Sequence, residues 1–157
     1  MNIRIITVGK TDSKPLQTLI GEYEKRLKHY VNFEWTVIPD LKNTKTLSQE
    51  QQKTKEGELI LKQTDPSHHL ILLDERGSEY SSVGLADFLQ KKMNAGLKQL
   101  VLVIGGPYGF SEEIYRRAQG RLSLSKLTFS HQMIRLFITE QIYRAYTILN
   151  NEPYHHQ

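Results

Sequence analysis

Gly105-Gly106-Pro107-Tyr108-Gly109 follows directly on the apolar run Leu100 to Ile104, which places pliant backbone at the end of a buried strand. Glycine lets main chain approach a ligand closely and adopt positive φ. A second such place is Leu124-Ser125-Lys126-Leu127-Thr128-Phe129, entered from a short strand near Leu122 to Leu124. A third opens at Leu73, where the apolar stretch His69 to Leu73 gives way to Asp74-Glu75-Arg76-Gly77. In open parallel sheets, ligands bind beyond the carboxyl ends of the strands. Three loops leaving such ends mark a candidate pocket, and backbone lining with apolar rims suits a nucleoside. A plainer alternative stays open on these residues alone: Gly105 and Gly106 simply turn the chain.

Side chains with proton or anion chemistry gather late. His131, Arg135, Arg144, Tyr154 and His155 all fall within the last 27 residues. Arg135 and Arg144 are nine residues apart, about 900° of helix, so they point to opposite sides. They cannot form one tight clamp in a single chain: one packs or pairs structurally while the other faces a ligand or a partner protomer, unless either is plain surface charge. His155-His156 has neither a carboxylate nor a third histidine at ligand spacing, so no metal site is expected. The spacing GGxxG is not GxGxxG, and no GxxxxGK[ST], GxSxG or HExxH exists. These absences remove the P-loop, the serine-hydrolase elbow and the zinc protease, and leave a nicotinamide cofactor a weak option.

The elements that must position these residues alternate. Ile3, Ile5 and Val8 read as a first strand, and Pro15 suits the first turn of a helix whose stripe is Leu16, Leu19, Ile20, Tyr23, Leu27 and Tyr30. Val31, Phe33, Trp35 and Val37 alternate as a strand with one buried face, stopped at Pro39. Ser48 and Gln51 have capping-box spacing for a polar helix to about Gln63. Val83 to Met93 predicts the next helix, Ser111 caps a short one, and Gln132 to Asn150 carries the last. About five strands alternating with helices make one α/β domain with a mostly parallel sheet.

Composition sets broad limits. The chain has 157 residues, enough for one packed core, and no apolar run nears the ~20 residues of a membrane span. With no cysteine, disulfides, thiolate metal sites and cysteine nucleophiles are excluded. The opening MNIRIITVGK lacks the apolar stretch of a signal peptide, so a cytoplasmic location is expected. A net charge of +4 permits a polyanionic partner, with Lys10, Lys25, Arg26 and Lys28 as candidate phosphate contacts or ordinary surface charge.

Taken together, LVLVIGGPYG, SLSKLTFSHQMIRLFITEQIYRAY and the terminal NEPYHH resemble the signature of the bacterial 23S ribosomal RNA pseudouridine N3-methyltransferases, a family of the SPOUT class. IRIITVGK, EYEKRL and KEGELIL are similar too, so the resemblance spans residues 1–157 as a single domain. It implies an α/β fold with a mostly parallel sheet of five or six strands, helices on both faces and a C-terminal trefoil knot. Such a knot is a rare exception to the rules of chain connection. The resemblance also implies a homodimer, S-adenosyl-L-methionine as cofactor, and 23S rRNA within the ribosome as partner, without membrane or metal. The cofactor pocket maps onto Leu73, Gly105, Gly106 and the run Leu124, Ser125, Lys126, Leu127, Thr128 and Phe129. For catalysis, Arg144 would stabilise the developing anion and His131 or a water would accept the proton. Tyr154 and His155 would be tail residues touching RNA at the partner's site. One departure stands out: Ser130 precedes His131 where family members often carry proline, which predicts a looser turn into the last helix. Two competing classes remain, another nucleotide enzyme and a non-catalytic ribosome-binding factor.

Overall fold

The computed structural model describes residues 1–156. Five strands, β1 (Asn2–Val8), β2 (Phe33–Ile38), β3 (His69–Glu79), β4 (Gln99–Ile104) and β5 (Gly120–Ser123), form one sheet in the order β2-β1-β4-β3-β5. Every strand pair is parallel. Parallel strands need crossover helices, and these are α1 (Lys14–Leu27), α2 (Gln49–Lys62), α3 (Ser82–Asn94), α4 (Glu112–Arg117) and α5 (Met133–Leu149).

The strand β4 is a nearly continuous apolar run, and β1 is buried from Ile5 to Val8, because both faces of each are covered. On one face Ile3, Ile5, Leu100 and Leu102 pack with Leu27 of α1, Leu85 and Leu89 of α3, and Ile138, Ile142 and Ala145 of α5. On the other, Ile6, Val8, Val101 and Val103 meet Ile60 of α2 and Ile114 of α4. Each fully buried aliphatic side chain contributes roughly 1.5–3 kcal/mol. The expected capping box opens α2: Ser48 accepts from the Gln51 N–H, and the Gln51 side chain accepts from the Ser48 N–H.

Three sequence expectations shift. Leu19 belongs to the helical stripe by spacing but is 42% exposed, so the buried face of α1 narrows to Ile20 and Leu27. Val37 is 49% exposed while Ile38 is buried, on β2, an edge strand with a neighbour on one side only. Finally, Asp74 to Gly77 is not a free loop. It is an irregularity inside β3, which slips register between Leu73 and Ser78 and then pairs again with the end of β5. Gly77 is required there, since a Cβ would lie 2.7 Å from the backbone of Arg121 and Leu122.

Candidate active site

The chain leaves β5 at the sheet edge and must reach β1, three strands away, where α5 begins. Residues 124–131 make that passage across the carboxyl ends of β3 and β4. Arg135 anchors its far end. Its guanidinium donates to the carbonyls of Val8 (3.1 Å) and Gly9 (2.9 Å), to Thr11 Oγ1 (3.1 Å) and to the His131 carbonyl (3.0 Å). Arg135 is only 1% exposed; burial pushes its pKa below the ordinary value, and the charges of Asp12 and Asp40 oppose that push. Gln132 adds two further ties, donating to the Lys10 carbonyl and accepting from the Asp12 N–H. Ser130 closes the turn into α5 instead of loosening it: its hydroxyl accepts from the Met133 N–H at 3.1 Å and its carbonyl from the Ile134 N–H at 3.0 Å.

Beneath this crossing segment lies a cavity of about 670 Å³. That volume falls within the range of small-molecule sites. Leu73, Gly105, Gly106, Leu124, Ser125, Leu127, Thr128 and Phe129 all line it, so three segments distant in sequence meet at one place. Lys126 does not line the cavity and is exposed. His131 is at the rim and exposed.

The glycine turn is shaped by what lies around it. Gly109 has a φ of +82°, which a side-chain-bearing residue adopts only with strain, and its N–H donates to the Gly106 carbonyl at 3.2 Å. A Cβ at Gly105 would meet the ring of Phe110 at 3.0 Å, and one at Gly106 would meet the Glu56 carboxylate at 2.5 Å. Main chain is therefore presented to the cavity because there is no room for side chains behind it. Opposite, Tyr115 of α4 donates to Asp74 Oδ2 at 2.7 Å, while Asp74 Oδ1 accepts from the Arg76 N–H at 2.8 Å. Burial and the hydrogen bond to Asp74 push the Tyr115 hydroxyl up to about 12, so it stays a donor at neutral pH.

Sequence reasoning missed the walls supplied by α2 and α4, chiefly Lys53 and Tyr115. No spacing rule connects a polar helix at residues 49–62 with a turn at 105–109. The nearest signal was KEGELIL, whose Glu56 and Gly57 are buried although they sit on the polar helix.

Arg144, Tyr154 and His155 do come together, but elsewhere. Glu140 Oε1 accepts from Arg144 Nε (3.0 Å), Arg144 Nη2 (2.6 Å) and the Tyr154 hydroxyl (3.0 Å). The Arg144 guanidinium stacks 4.7 Å from the Tyr154 ring centroid, and Nη1 lies 3.3 Å from His155 Nδ1. The hydrogen bond to Glu140 holds the Arg144 pKa up, while burial, followed by hydrogen bonds to Tyr23 and Glu140, raises that of Tyr154. Arg144 lies ten residues beyond Ile134, the α5 residue on the cavity wall. At 1.5 Å per residue that is about 15 Å along the helix. Of the candidate phosphate contacts, Lys28 pairs with Glu24 at 2.9 Å and Arg26 packs over the rings of Tyr23 and Tyr143. Among the described residues, no group of three or more His, Asp or Glu side chains is placed to hold a metal, and no helix is long and apolar enough to cross a membrane.

Comparison with known proteins bears on this arrangement. The profile of a family described as "Predicted SPOUT methyltransferase" matches residues 1–155. A protein of Flavobacterium johnsoniae named "Ribosomal RNA large subunit methyltransferase H" is 64% identical over 157 residues, covering all of both chains. Proteins of the same name from Christiangramia forsetii and Parabacteroides distasonis are each 59% identical over the full length of both chains. Among solved structures, a probable methylase family protein from Haemophilus influenzae Rd KW20 superimposes with a TM-score of 0.54. It is 17% identical and covers 97% of this chain and 69% of its own, a likeness of fold.

Proposed function

Because the chain belongs to the SPOUT methyltransferase family, matched over residues 1–155, we propose that it methylates N3 of a pseudouridine in 23S ribosomal RNA with S-adenosylmethionine as donor. The observation that carries the reading is the convergence of Leu73, Gly105, Gly106 and residues 124–129 on one backbone-lined cavity at the carboxyl end of a parallel sheet. A nucleoside fits such a cradle. Main-chain groups of the glycine turn and of the 124–129 segment can pair with its edge, and Leu73, Leu124 and Leu127 can flank its faces.

When bound, the cofactor supplies an electrophilic sulfonium methyl. The residues of this chain have three tasks. They hold donor and acceptor in line, and positioning of this kind is worth up to ~7–11 kcal/mol in favourable cases. His131, at the rim, accepts the N3 proton of the weakly acidic imide directly or through water. Arg144 stabilises the negative charge left on the base. Within one chain Arg144 is too far from the cavity for that task, so its partner cavity belongs to a second copy, with Tyr154 and His155 beside it on the RNA. This reading makes the protein a homodimer with two composite sites, and its ribosomal RNA substrate implies a cytoplasmic enzyme acting on ribosomes. We also propose that the 124–131 crossing segment is the threaded strand of a trefoil knot, which would keep the cradle closed without a disulfide.

Ribosomes lacking the modification test the proposal directly. Incubation with the enzyme and labelled S-adenosylmethionine should place one methyl group in the large-subunit RNA, located to a pseudouridine by mass spectrometry. Cofactor binding without any RNA methylation would sink the substrate assignment.

A further inference from the structure

Glu56 is an acidic residue in an unlikely place. It is 4% exposed, on the inward face of α2, and its Oε2 has no hydrogen-bond partner among the described residues. Its Oε1 accepts from Gln52 Nε2 at 3.0 Å, a bond within the same helix. A buried carboxylate oxygen without a donor is costly to keep, and it is open to any donor brought within reach. Burial pushes the Glu56 carboxyl above the usual range; the Gln52 hydrogen bond opposes this and Asp40 adds to it.

What the carboxylate touches is the glycine turn. Gly106 sits so close that a Cβ there would lie 2.5 Å from Oε2 and 2.9 Å from Oε1. Gly106 has no positive φ, so glycine is needed here for the close approach alone. The turn pairs with itself through an antiparallel bridge between Gly106 and Gly109, in which the Gly109 N–H donates to the Gly106 carbonyl at 3.2 Å, and Pro107 has no N–H to give. A free acceptor therefore lies directly behind a turn whose opposite side faces the cavity.

We propose that Glu56 is a positioning residue for the cofactor, its free carboxylate oxygen serving as the acceptor that fixes the Gly106 main chain when the turn closes on its ligand. The inference rests on the reading of the cavity as an S-adenosylmethionine site. It makes α2 part of that site without any atom of Glu56 touching the ligand, and it accounts for the Glu56-Gly57 pair on an otherwise polar helix.

Calorimetric titration of the full chain with S-adenosylhomocysteine tests it, alongside thermal unfolding of each ligand-free protein. Glu56→Ala should weaken binding about tenfold, equivalent to ~1.4 kcal/mol. Glu56→Gln keeps an acceptor oxygen and should recover most of that loss. A purely structural role would lower the melting temperature without separating the two variants in affinity. Gly106→Ala should weaken binding in the wild-type background, yet add little to Glu56→Ala, because the methyl then has space. Equal affinity of Glu56→Ala and wild type would overturn the proposal, and so would losses that simply multiply in the double variant. Should Glu56→Ala fail to fold, Glu56→Met keeps the volume and answers the same question. A wild-type protein that binds no S-adenosylhomocysteine would instead overturn the cofactor reading, and this inference with it.

Discussion

Arg135 and Arg144 share a helix and have opposite assignments because of what surrounds each. Arg135 is enclosed and spends its donors on main-chain carbonyls at the end of β1 and on Thr11 and His131, so it is part of the scaffold. Arg144 is paired with one carboxylate and stacked on Tyr154, and its side chain remains 24% exposed. Arg144→Ala should lower the rate of methyl transfer by about 10²–10³, the usual effect of removing a group that stabilises developing charge. Affinity for S-adenosylhomocysteine should be unaltered, since Arg144 does not line the cavity. Single-turnover rates and titration together check both halves. Glu56 allows a second prediction, in pH. Its folded-state pKa is raised by burial, so the stability linked to its protonation is fully present below the unfolded value and is lost as pH rises through the folded value. Glu56→Gln has no such loss. Its melting temperature relative to wild type should climb across that window and level off above it; a pH-independent difference would show that the carboxyl does not titrate in the fold.

Elements meet where side chains are smallest, and α2 with α4 is the clearest case. A Cβ at Gly57 would lie 2.6 Å from Ser111 Oγ and 3.2 Å from Ile114 Cγ1, and Ser111 is the residue that caps α4. In an isolated helix Gly→Ala is worth about 1 kcal/mol of stabilisation. Here Gly57→Ala should destabilise by about 1–3 kcal/mol, through overpacking or loss of the cap, and urea unfolding gives the sign. That sign was not legible in the sequence, where Gly57 looks like a flaw in a weak helix. What was legible followed local chemistry: the Ser48–Gln51 box, Pro15 opening α1, the Ser111 cap, and the apolar runs of β3 and β4. The eight pocket residues were legible for a related reason, since strand ends in a parallel sheet all face one way. Leu19, Val37 and the continuation of β3 past Asp74 depend instead on which neighbour covers which position, and the α2 wall of the cavity depends on a contact between residues 50 apart in sequence. Periodicity carries no information about either.

At the scale of the whole molecule the two groups of candidate residues lie in different regions of one chain. The cavity occupies the carboxyl end of the sheet, while Arg144, Tyr154 and His155 sit near the far end of α5, about 15 Å along its axis from Ile134. Closed two-fold symmetry allows one copy's tail to serve the other copy's cavity, and then serves it twice. Mixed dimers distinguish this from a site within one chain. Thr128→Trp would fill the cavity from an exposed wall position, and Arg144→Ala would remove the group proposed to stabilise charge; each variant alone should be nearly inactive. Co-expressed with different tags and mixed at random, half of the dimers would carry one of each. In those, one site has both defects and the other has neither. Activity of the mixture should recover to about a quarter of wild type, and that of purified mixed dimers to about a half, by the symmetry of a closed two-fold pair. If both residues belonged to the same chain's site, every site in every dimer would carry one defect, and mixing would restore nothing.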